Sequence, residues 1–217
     1  MIDTSSTPVA PLLRRGVLLL GAVVCAGAVL SAGDGRARLQ MNAVTGGTIT
    51  PFAPAGKAGV VFFVATDCPV SNSYATEIQR LCREYGPRGV GCSLIYEDVD
   101  VHPTSAHLDQ QVRAHLREYS YAGVPAAVDR DRTIATAAKA TITPLAVVVD
   151  RSGDIRYRGR IDNLYAALGK RRQQVTKHDL REALDAVLSG GKVPNPETEA
   201  LGCYITDPAL LRKHDHE

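Results

Sequence analysis

The stretch that decides the fold is residues 59–72, GVVFFVATDCPVSN, in which an apolar run leads directly into a cysteine and the start of a helix. The run at 59–65 is typical of a strand buried on both faces, and residues 71–84 are predicted to form a helix. Cys68 would then lie on the turn at the carboxyl end of a central parallel strand, where open α/β sheets bind their ligands. The N–H groups at the start of a helix favour an anion, and the thiolate is the reactive form of cysteine. We therefore predict that Cys68 is reactive rather than structural.

Length and charge limit the class of protein. The chain has 217 residues, which is enough for one domain with a sizeable core and additional tails. Its 25 basic and 23 acidic residues almost cancel, and no basic stripe with interleaved aromatic residues is present. We therefore expect no nucleic-acid partner.

Residues 1–32 are predicted to be a signal peptide or an N-terminal membrane anchor. Arg14 and Arg15 precede an apolar stretch that ends at Leu30, and small residues follow it. This order is typical of a secretory signal. The apolar stretch is slightly shorter than the ~17–25 residues that span a bilayer, so an uncleaved membrane tether is the alternative. In both cases the folded part is exported to the periplasm or another extracytoplasmic compartment, where disulfides persist.

The remaining sequence alternates strands with helices and then closes with a hairpin and a final helix. A lead-in at 33–49, with one short edge hairpin at most, precedes the main domain at 50–190, and an irregular tail at 191–217 carries Cys203. Strands are predicted at 59–65, 90–96, 124–129, 142–150 and 155–160, and further helices at 105–119, 133–140 and 177–189. This order predicts an α/β sandwich in which helices flank a mixed sheet.

Two short motifs resemble those of the thioredoxin-like superfamily. Cys68-Pro69-Val70-Ser71 takes the place of the Cys-x-x-Cys motif, and Thr143-Pro144 takes the place of the cis-proline loop. The order of elements over 50–190 is similar as well. The resemblance implies a thioredoxin-like three-layer sandwich and a cis peptide bond before Pro144.

Within that superfamily the chain resembles the exported redoxin and peroxiredoxin-like branch, which includes the alkyl hydroperoxide reductase/thiol-specific antioxidant proteins. Segments 67–74, 157–162 and 202–205 look like a redoxin subgroup with a second cysteine near the C-terminus. Two departures are informative. Ser71 replaces the second cysteine of the motif, so a dithiol cycle within the motif is impossible. Ala65 and Val61 stand where a peroxide-reacting site would carry Thr and Pro, so peroxidase activity is only one option.

The resemblance and the topology together predict a set of catalytic residues. Cys68 is the nucleophile, and Cys203 is the candidate that resolves its oxidised form, with an unpaired or intermolecular cysteine as the alternative. Ser71 is expected to stabilise the thiolate. The backbone before Pro144 is expected to pair with an extended thiol-bearing substrate. Arg160 reaches the same edge on the strand at 155–160 and would lower the pKa of the thiol. A solvated hairpin face that carries Arg158 and Arg160 is an equally good interpretation.

Other polar residues receive structural interpretations. Cys82 and Cys92 are predicted to be core residues that behave as small hydrophobes, although four exported cysteines allow three pairings that the sequence does not distinguish. His107 and His115 are predicted to lie on the surface of the helix at 105–119. The acidic run at 97–100 should flank Cys68 and oppose formation of its thiolate.

These observations predict an exported, thiol-dependent oxidoreductase that needs no cofactor. The Cys68 thiolate would attack a protein disulfide or a peroxide, and Cys203 or an external thiol reductant would complete the cycle. The alternative is a copper-handling or redox-sensing protein of the same fold without turnover, with Cys68, His102 and Cys203 as ligands. A binding domain that has lost turnover is the third interpretation.

Overall fold

The computed structural model describes residues 1–2, 33–98, 105–121 and 123–206. The predicted signal peptide or anchor lies outside these residues apart from Met1 and Ile2, as do His102 and residues 207–217 of the tail. Contacts within the chain define two units, Met1–Leu30 and Ser31–Glu217, and the second contains every element below. In the part of the chain that is described, we find no helix long and apolar enough to cross a membrane.

The second unit alternates short strands with helices. The strands are β1 (Met41–Asn42), β2 (Thr48–Ile49), β3 (Ala58–Val64), β4 (Val90–Tyr96), β5 (Ala126–Val128), β6 (Ile142–Thr143), β7 (Leu145–Asp150), β8 (Ile155–Gly159), β9 (Tyr165–Ala167), β10 (Lys170–Arg171) and β11 (Cys203–Tyr204). The helices are α1 (Gly33–Ala37), α2 (Pro69–Ser73), α3 (Ala75–Tyr85), α4 (Ser105–Glu118), α5 (Thr133–Ala138) and α6 (Asp179–Leu188), with one 3-10 turn at Gly86–Arg88.

The central sheet has five strands in the order β5-β4-β3-β7-β8. Strand β3 runs parallel to β4 and antiparallel to β7, so the sheet is mixed, as predicted. Alternate side chains of β3 enter the two cores on opposite faces of the sheet, with Phe62 on one face and Phe63 on the other. Helices α3, α4 and α6 pack on the Phe62 face, and α5 packs on the Phe63 face. All of β3 is buried because both faces of the sheet are covered.

The predicted single helix at 71–84 is wrong in detail, because two helices occupy this region. Helix α2 begins at Pro69, with Cys68 as the residue that caps its N-terminus. Proline suits the first helical position because its missing N–H would have no partner there. The chain bends at Tyr74, and α3 then continues to Tyr85.

Cys82 and Cys92 pack against the core as predicted, but they do not behave as separate small hydrophobes, because they form a disulfide between α3 and β4. Their Cα atoms lie 5.8 Å apart, which is within the range that a disulfide can bridge. The pairing depends on how α3 packs against β4, which the spacing of the two cysteines in sequence does not reveal. Cys68 and Cys203 are the two free cysteines in the described part of the chain.

The prediction of a surface position holds for His107, which is exposed, but is wrong for His115. His115 is buried between α4 and the sheet, where its Nδ1 lies 2.9 Å from the hydroxyl of Tyr96. Burial lowers the pKa of His115, since a charged imidazole would be poorly solvated there. Its position continues the buried stripe of Leu108 and Val112 along α4.

The tail is more regular than predicted. Residues 196–206 form what we call the C-terminal strap, which runs along the edges of β8 and β6. Glu197 bridges in parallel to Arg158 on β8. Strand β11 then pairs antiparallel with β6, with Cys203 opposite Thr143. The backbone groups of the strap therefore find partners along these edges, and the chain fold brings Cys203 beside the sheet end that carries Cys68.

Candidate active site

Cys68 lies where β3 ends and α2 begins, with its side chain completely buried. The backbone N–H of Ser71 donates to its sulfur across 3.4 Å. The Cys68 thiol in turn lies 3.3 Å from the backbone oxygen of Thr143. The turn expected from the apolar run and the helix start is therefore present, and its Ser71 N–H donates to the sulfur.

Cys203 is a titratable neighbour of Cys68, and each of the two thiols affects the pKa of the other. Burial by itself raises the pKa of Cys68, but hydrogen bonds from Cys203, Ser71 and Thr143 together bring that pKa below its ordinary value. Burial, followed by the hydrogen bond and negative charge of Cys68, raises the pKa of Cys203 to about 12. The pair is therefore asymmetric, and Cys68 is the more acidic of the two thiols.

Ser71 is close to the sulfur in the way that the Cys-x-x-Ser motif predicts. Its side chain is buried, and within the described residues its hydroxyl has no nitrogen or oxygen partner. The side chain and the backbone N–H of Ser71 both lower the pKa of Cys68. The role of Ser71 in catalysis stays a prediction, but its position beside the thiolate is established.

The peptide bond between Thr143 and Pro144 is cis, as the resemblance implies. The backbone before Pro144 was predicted to pair with an extended substrate. In this structure Cys203 and Tyr204 of the strap occupy that edge, opposite Thr143 and Ile142. The position expected for a thiol-bearing substrate is thus filled by a thiol-bearing segment of the chain itself.

The two arginines of the hairpin bind groups other than the thiol. Arg160 forms a two-point ion pair with Asp179 at the start of α6, at 2.8 Å and 3.2 Å. Arg158 donates to the backbone oxygen of Ala138 and pairs with Glu197 of the strap. Arg160 lines a cavity of about 460 Å³ that also borders Pro144, which places it near the site without contact to the sulfur among the described interactions. Its predicted assistance to Cys68 stays a prediction.

The acidic run does flank the site, but its first two members are buried and paired. Asp98 accepts hydrogen bonds from the backbone N–H and the hydroxyl of Thr66. Glu97 accepts from Arg132 at 3.0 Å. Burial, and secondarily the neighbouring Asp129, raises the pKa of Glu97 to about 9. At neutral pH the predicted negative charge beside Cys68 is therefore reduced by protonation of Glu97.

A second cavity, of about 440 Å³, opens on the strap side of the site. Cys203 and Thr143 form part of its wall, and Asp67, Glu97 and Asp98 form another part. Its volume is in the range of pockets that hold small ligands. A molecule from solvent can reach Cys203 through this cavity.

Sequence reasoning missed the residues that hold the turn in place. His115 Nε2 lies 2.8 Å from Asn72 Oδ1, and the Asn72 side-chain amide donates to the backbone oxygen of Thr66 at 3.0 Å. Since Asn72 Oδ1 is an acceptor, Nε2 carries the proton and Nδ1 accepts from Tyr96. The spacing of His115 from Leu108 and Val112, on one helical face, was the signal that could have revealed its burial.

A thioredoxin-like sheet with a buried cysteine at the start of a helix, beside a cis-proline, defines the class of the thioredoxin-like redoxins. Within that class, the sequence profile of the AhpC/TSA family matches residues 33–158. This match spans more than half of the chain, so the chain belongs to the AhpC/TSA family. No curated protein matches it significantly.

Solved structures share the fold of this chain. A hypothetical protein from Sinorhizobium meliloti has 27% sequence identity and a TM-score of 0.64, over 77% of this chain and 89% of that one. An uncharacterized conserved protein from Geobacillus kaustophilus has 26% identity and a TM-score of 0.64, over 77% and 87% of the two chains. A thioredoxin-like protein from Aeropyrum pernix shares the fold, with 17% identity and a TM-score of 0.50 over 72% and 91%.

Proposed function

We propose that this protein is an exported thiol-dependent oxidoreductase in which Cys68 is the nucleophile and Cys203 the resolving cysteine. One observation carries the proposal: the two free cysteines meet at Thr143, just before the cis-proline, where the Cys68 thiol lies 3.3 Å from the Thr143 oxygen and Cys203 pairs opposite Thr143. The pKa of Cys68 is lowered there and the pKa of Cys203 is raised. Such a pair has a ready nucleophile and a protonated partner in reach of it.

The reaction with a disulfide proceeds in two exchanges. The Cys68 thiolate attacks one sulfur of the substrate disulfide, forms a mixed disulfide and releases the other substrate sulfur as a thiolate. Cys203 then loses its proton and attacks the Cys68 sulfur, which releases the second substrate thiol and leaves a Cys68–Cys203 disulfide. The substrate is reduced by two electrons and the protein is oxidised by two. An external dithiol restores the reduced pair.

A disulfide fits the site better than a peroxide does. Arg158 and Arg160, which could have bound a peroxide oxygen, are engaged by Glu197 and Asp179. The groups that lower the pKa of Cys68 are instead neutral hydrogen-bond donors. With a peroxide, Cys68 would take up one oxygen to give a sulfenic acid and an alcohol, and Cys203 would then release water on forming the disulfide.

The Cys82–Cys92 disulfide supports the exported location. Disulfides persist in oxidising compartments and are rare in the cytosol. Together with the leader-like residues 1–32, this supports a periplasmic or other extracytoplasmic site for the folded domain, with a membrane tether as the alternative to cleavage.

The test combines turnover with mass mapping. The reduced protein is treated with one equivalent of a small disulfide or of hydrogen peroxide, and reduction of a protein disulfide at the expense of dithiothreitol is followed separately. We expect a reversible Cys68–Cys203 bond and no turnover in Cys68→Ser. In the matched variant Cys203→Ser, the mixed disulfide on Cys68 should accumulate. Unchanged turnover in Cys68→Ser would refute the assignment of the nucleophile.

Copper handling is the second candidate, because two neighbouring thiols are soft ligands of the kind that Cu(I) prefers. Among the described residues there is no group of three or more His, Cys, Asp or Glu arranged to hold a metal, so a third ligand such as His102 would have to come from outside them. Titration with Cu(I) of the wild type and of Cys203→Ser distinguishes this candidate. Tight binding that needs both cysteines, without thiol turnover, would favour it over the oxidoreductase.

A further inference from the structure

The nucleophile proposed above is inaccessible in the structure. Cys68 has 0% of its surface exposed, whereas Cys203 is partly exposed and borders the cavity of about 440 Å³. Cys203 is therefore the cysteine that an incoming molecule meets first. Its raised pKa makes it the poorer nucleophile of the two.

The C-terminal strap covers the site by pairing with the sheet. The backbone N–H of Ile205 donates to the oxygen of Thr141 at 3.0 Å, next to the pairing of β11 with β6. Beyond it, Arg132 Nε donates to the oxygen of Thr206 at 3.1 Å. These hydrogen bonds hold the strap at Cys203 and on its C-terminal side.

The other end of the strap is bound along β8. The N–H of Arg158 donates to the oxygen of Pro196 at 2.9 Å, and the N–H of Thr198 donates back to the oxygen of Arg158 at 3.1 Å. The Arg158 side chain pairs with Glu197 as well. The strap is thus anchored by backbone pairing at each end, with Cys203 near one of the two anchors.

Two glycines permit this close approach. A Cβ on Gly202 would collide with the backbone oxygen of Thr143 and would lie 3.1 Å from Cδ of Pro144. A Cβ on Gly159 would likewise collide with Thr198. Because Gly202 is buried against the cis-proline, any side chain at this position is incompatible with the docked strap. Gly202 is therefore the residue through which docking can be perturbed while both cysteines are kept.

We propose that the strap is a gate: residues around Cys203 leave the edge of β6 to admit a substrate to Cys68, and then dock again to bring Cys203 back for resolution. This regulation rests on the proposed function, since it concerns the same pair of cysteines. In the open state Cys68 forms the mixed disulfide with the substrate and releases one substrate thiolate. On redocking, Cys203 attacks the Cys68 sulfur and releases the second thiol, so the electrons balance as in the two exchanges above.

The gate is tested by the rate at which Cys68 of the reduced, full-length protein is alkylated, with the modified cysteine identified by peptide mass mapping. Iodoacetamide and a bulky polymer-linked maleimide serve as small and large probes. Rates are taken at the high-pH plateau, where Cys68 is fully ionised, so that a change in its pKa does not contribute. We expect Gly202→Ala to raise the plateau rate for Cys68 by about tenfold or more, and the large probe to gain more than the small one.

Two matched variants control for unrelated effects. Gly86→Ala adds the same methyl group at an exposed position where nothing lies within 4 Å of it. Tyr204→Ala changes a strap side chain that is 83% exposed, so it should leave docking intact. Both should alkylate at the wild-type rate. If Gly202→Ala does not fold, Ile205→Pro removes the hydrogen bond to Thr141 and takes its place in the comparison.

The outcomes separate the gate from the proposed function. Faster alkylation of Cys68 in Gly202→Ala, without thiol turnover in any form of the protein, would support the gate and refute the oxidoreductase. Equal plateau rates in wild type, Gly202→Ala and Ile205→Pro would overturn the gate, even if turnover through Cys68 and Cys203 is observed. Rapid labelling of wild-type Cys68 by the large probe would overturn it too.

Discussion

Replacing Cys203 with alanine should raise the pKa of Cys68, because a hydrogen bond from the Cys203 thiol favours the Cys68 thiolate and lowers that pKa. A hydrogen bond to a charged group contributes about 1.5–3 kcal/mol. Since 1.36 kcal/mol corresponds to a tenfold change in an acid dissociation constant, the dissociation constant of Cys68 should fall by about 10- to 150-fold. The lower end is the better expectation, because removal of the Cys203 side chain lets water reach a sulfur that is otherwise fully buried.

The measurement is the pH dependence of the ultraviolet absorbance of the Cys68 thiolate, recorded in reduced protein. The alkylation rate of the same cysteine provides a second readout of the same ionisation. Cys203→Ser is the matched control, because its hydroxyl keeps a donor at the position of the thiol. We expect the serine variant to titrate closer to the wild type than the alanine variant does.

The result that would refute this reasoning is an unchanged or lowered pKa for Cys68 in the alanine variant. In that case the Ser71 donors and Thr143 alone would determine the ionisation of Cys68. The hydrogen bond between the two cysteines could then no longer explain why one of them is poised as the nucleophile and the other as the proton carrier.

Two further predictions concern stability. Replacing both Cys82 and Cys92 with alanine should lower the free energy of unfolding in urea by about 2–3 kcal/mol, the chain-entropy value for a disulfide between residues 10 positions apart. A reductant should destabilise the wild type but not this variant. A loss well under about 1 kcal/mol would contradict the prediction. The pKa of Glu97 is raised from 4.5 to about 9, so its contribution to stability is complete below about pH 4.5 and is lost as the pH rises towards 9. Glu97→Gln mimics the protonated carboxyl and should flatten the fall in unfolding free energy over that interval, whereas an unchanged pH profile in the variant would show that another group is responsible.

The sequence by itself determined the class of the fold and the position of the proposed nucleophile. The apolar run at 59–65 required a strand covered on both faces, and β3 at Ala58–Val64 is such a strand. The cysteine after it, followed by Pro69, required a turn into a helix, and Cys68 caps α2. These features are local, because periodicity, apolar content and the backbone limits of proline act within a few residues.

The tertiary structure determined which side chains contact one another. The disulfide between Cys82 and Cys92, the burial of His115 and the ion pair of Arg160 with Asp179 each depend on how one element packs against another. Helical spacing could have indicated that His115 is buried, but which group each of these side chains meets depends on how separate elements pack, and that packing is not encoded locally.

Cys203 shows the difference most clearly. From sequence it was a cysteine in a tail expected to be irregular, and its resolving role was predicted from the resemblance, from the freedom that Gly202 gives the tail, and from the liability of a free thiol in an oxidising compartment. In the structure its strand pairs with the residues before cis-Pro144 across 60 positions of the chain, and Gly202 lets it come that close. Local chemistry in the sequence placed Cys68 on the turn before a helix, which is the basis for proposing it as the reactive cysteine. Only the long-range backbone pairing of β11 with β6 placed Cys203 beside Cys68 and laid the strap over that cysteine. This pairing depends on the packing of the whole sheet.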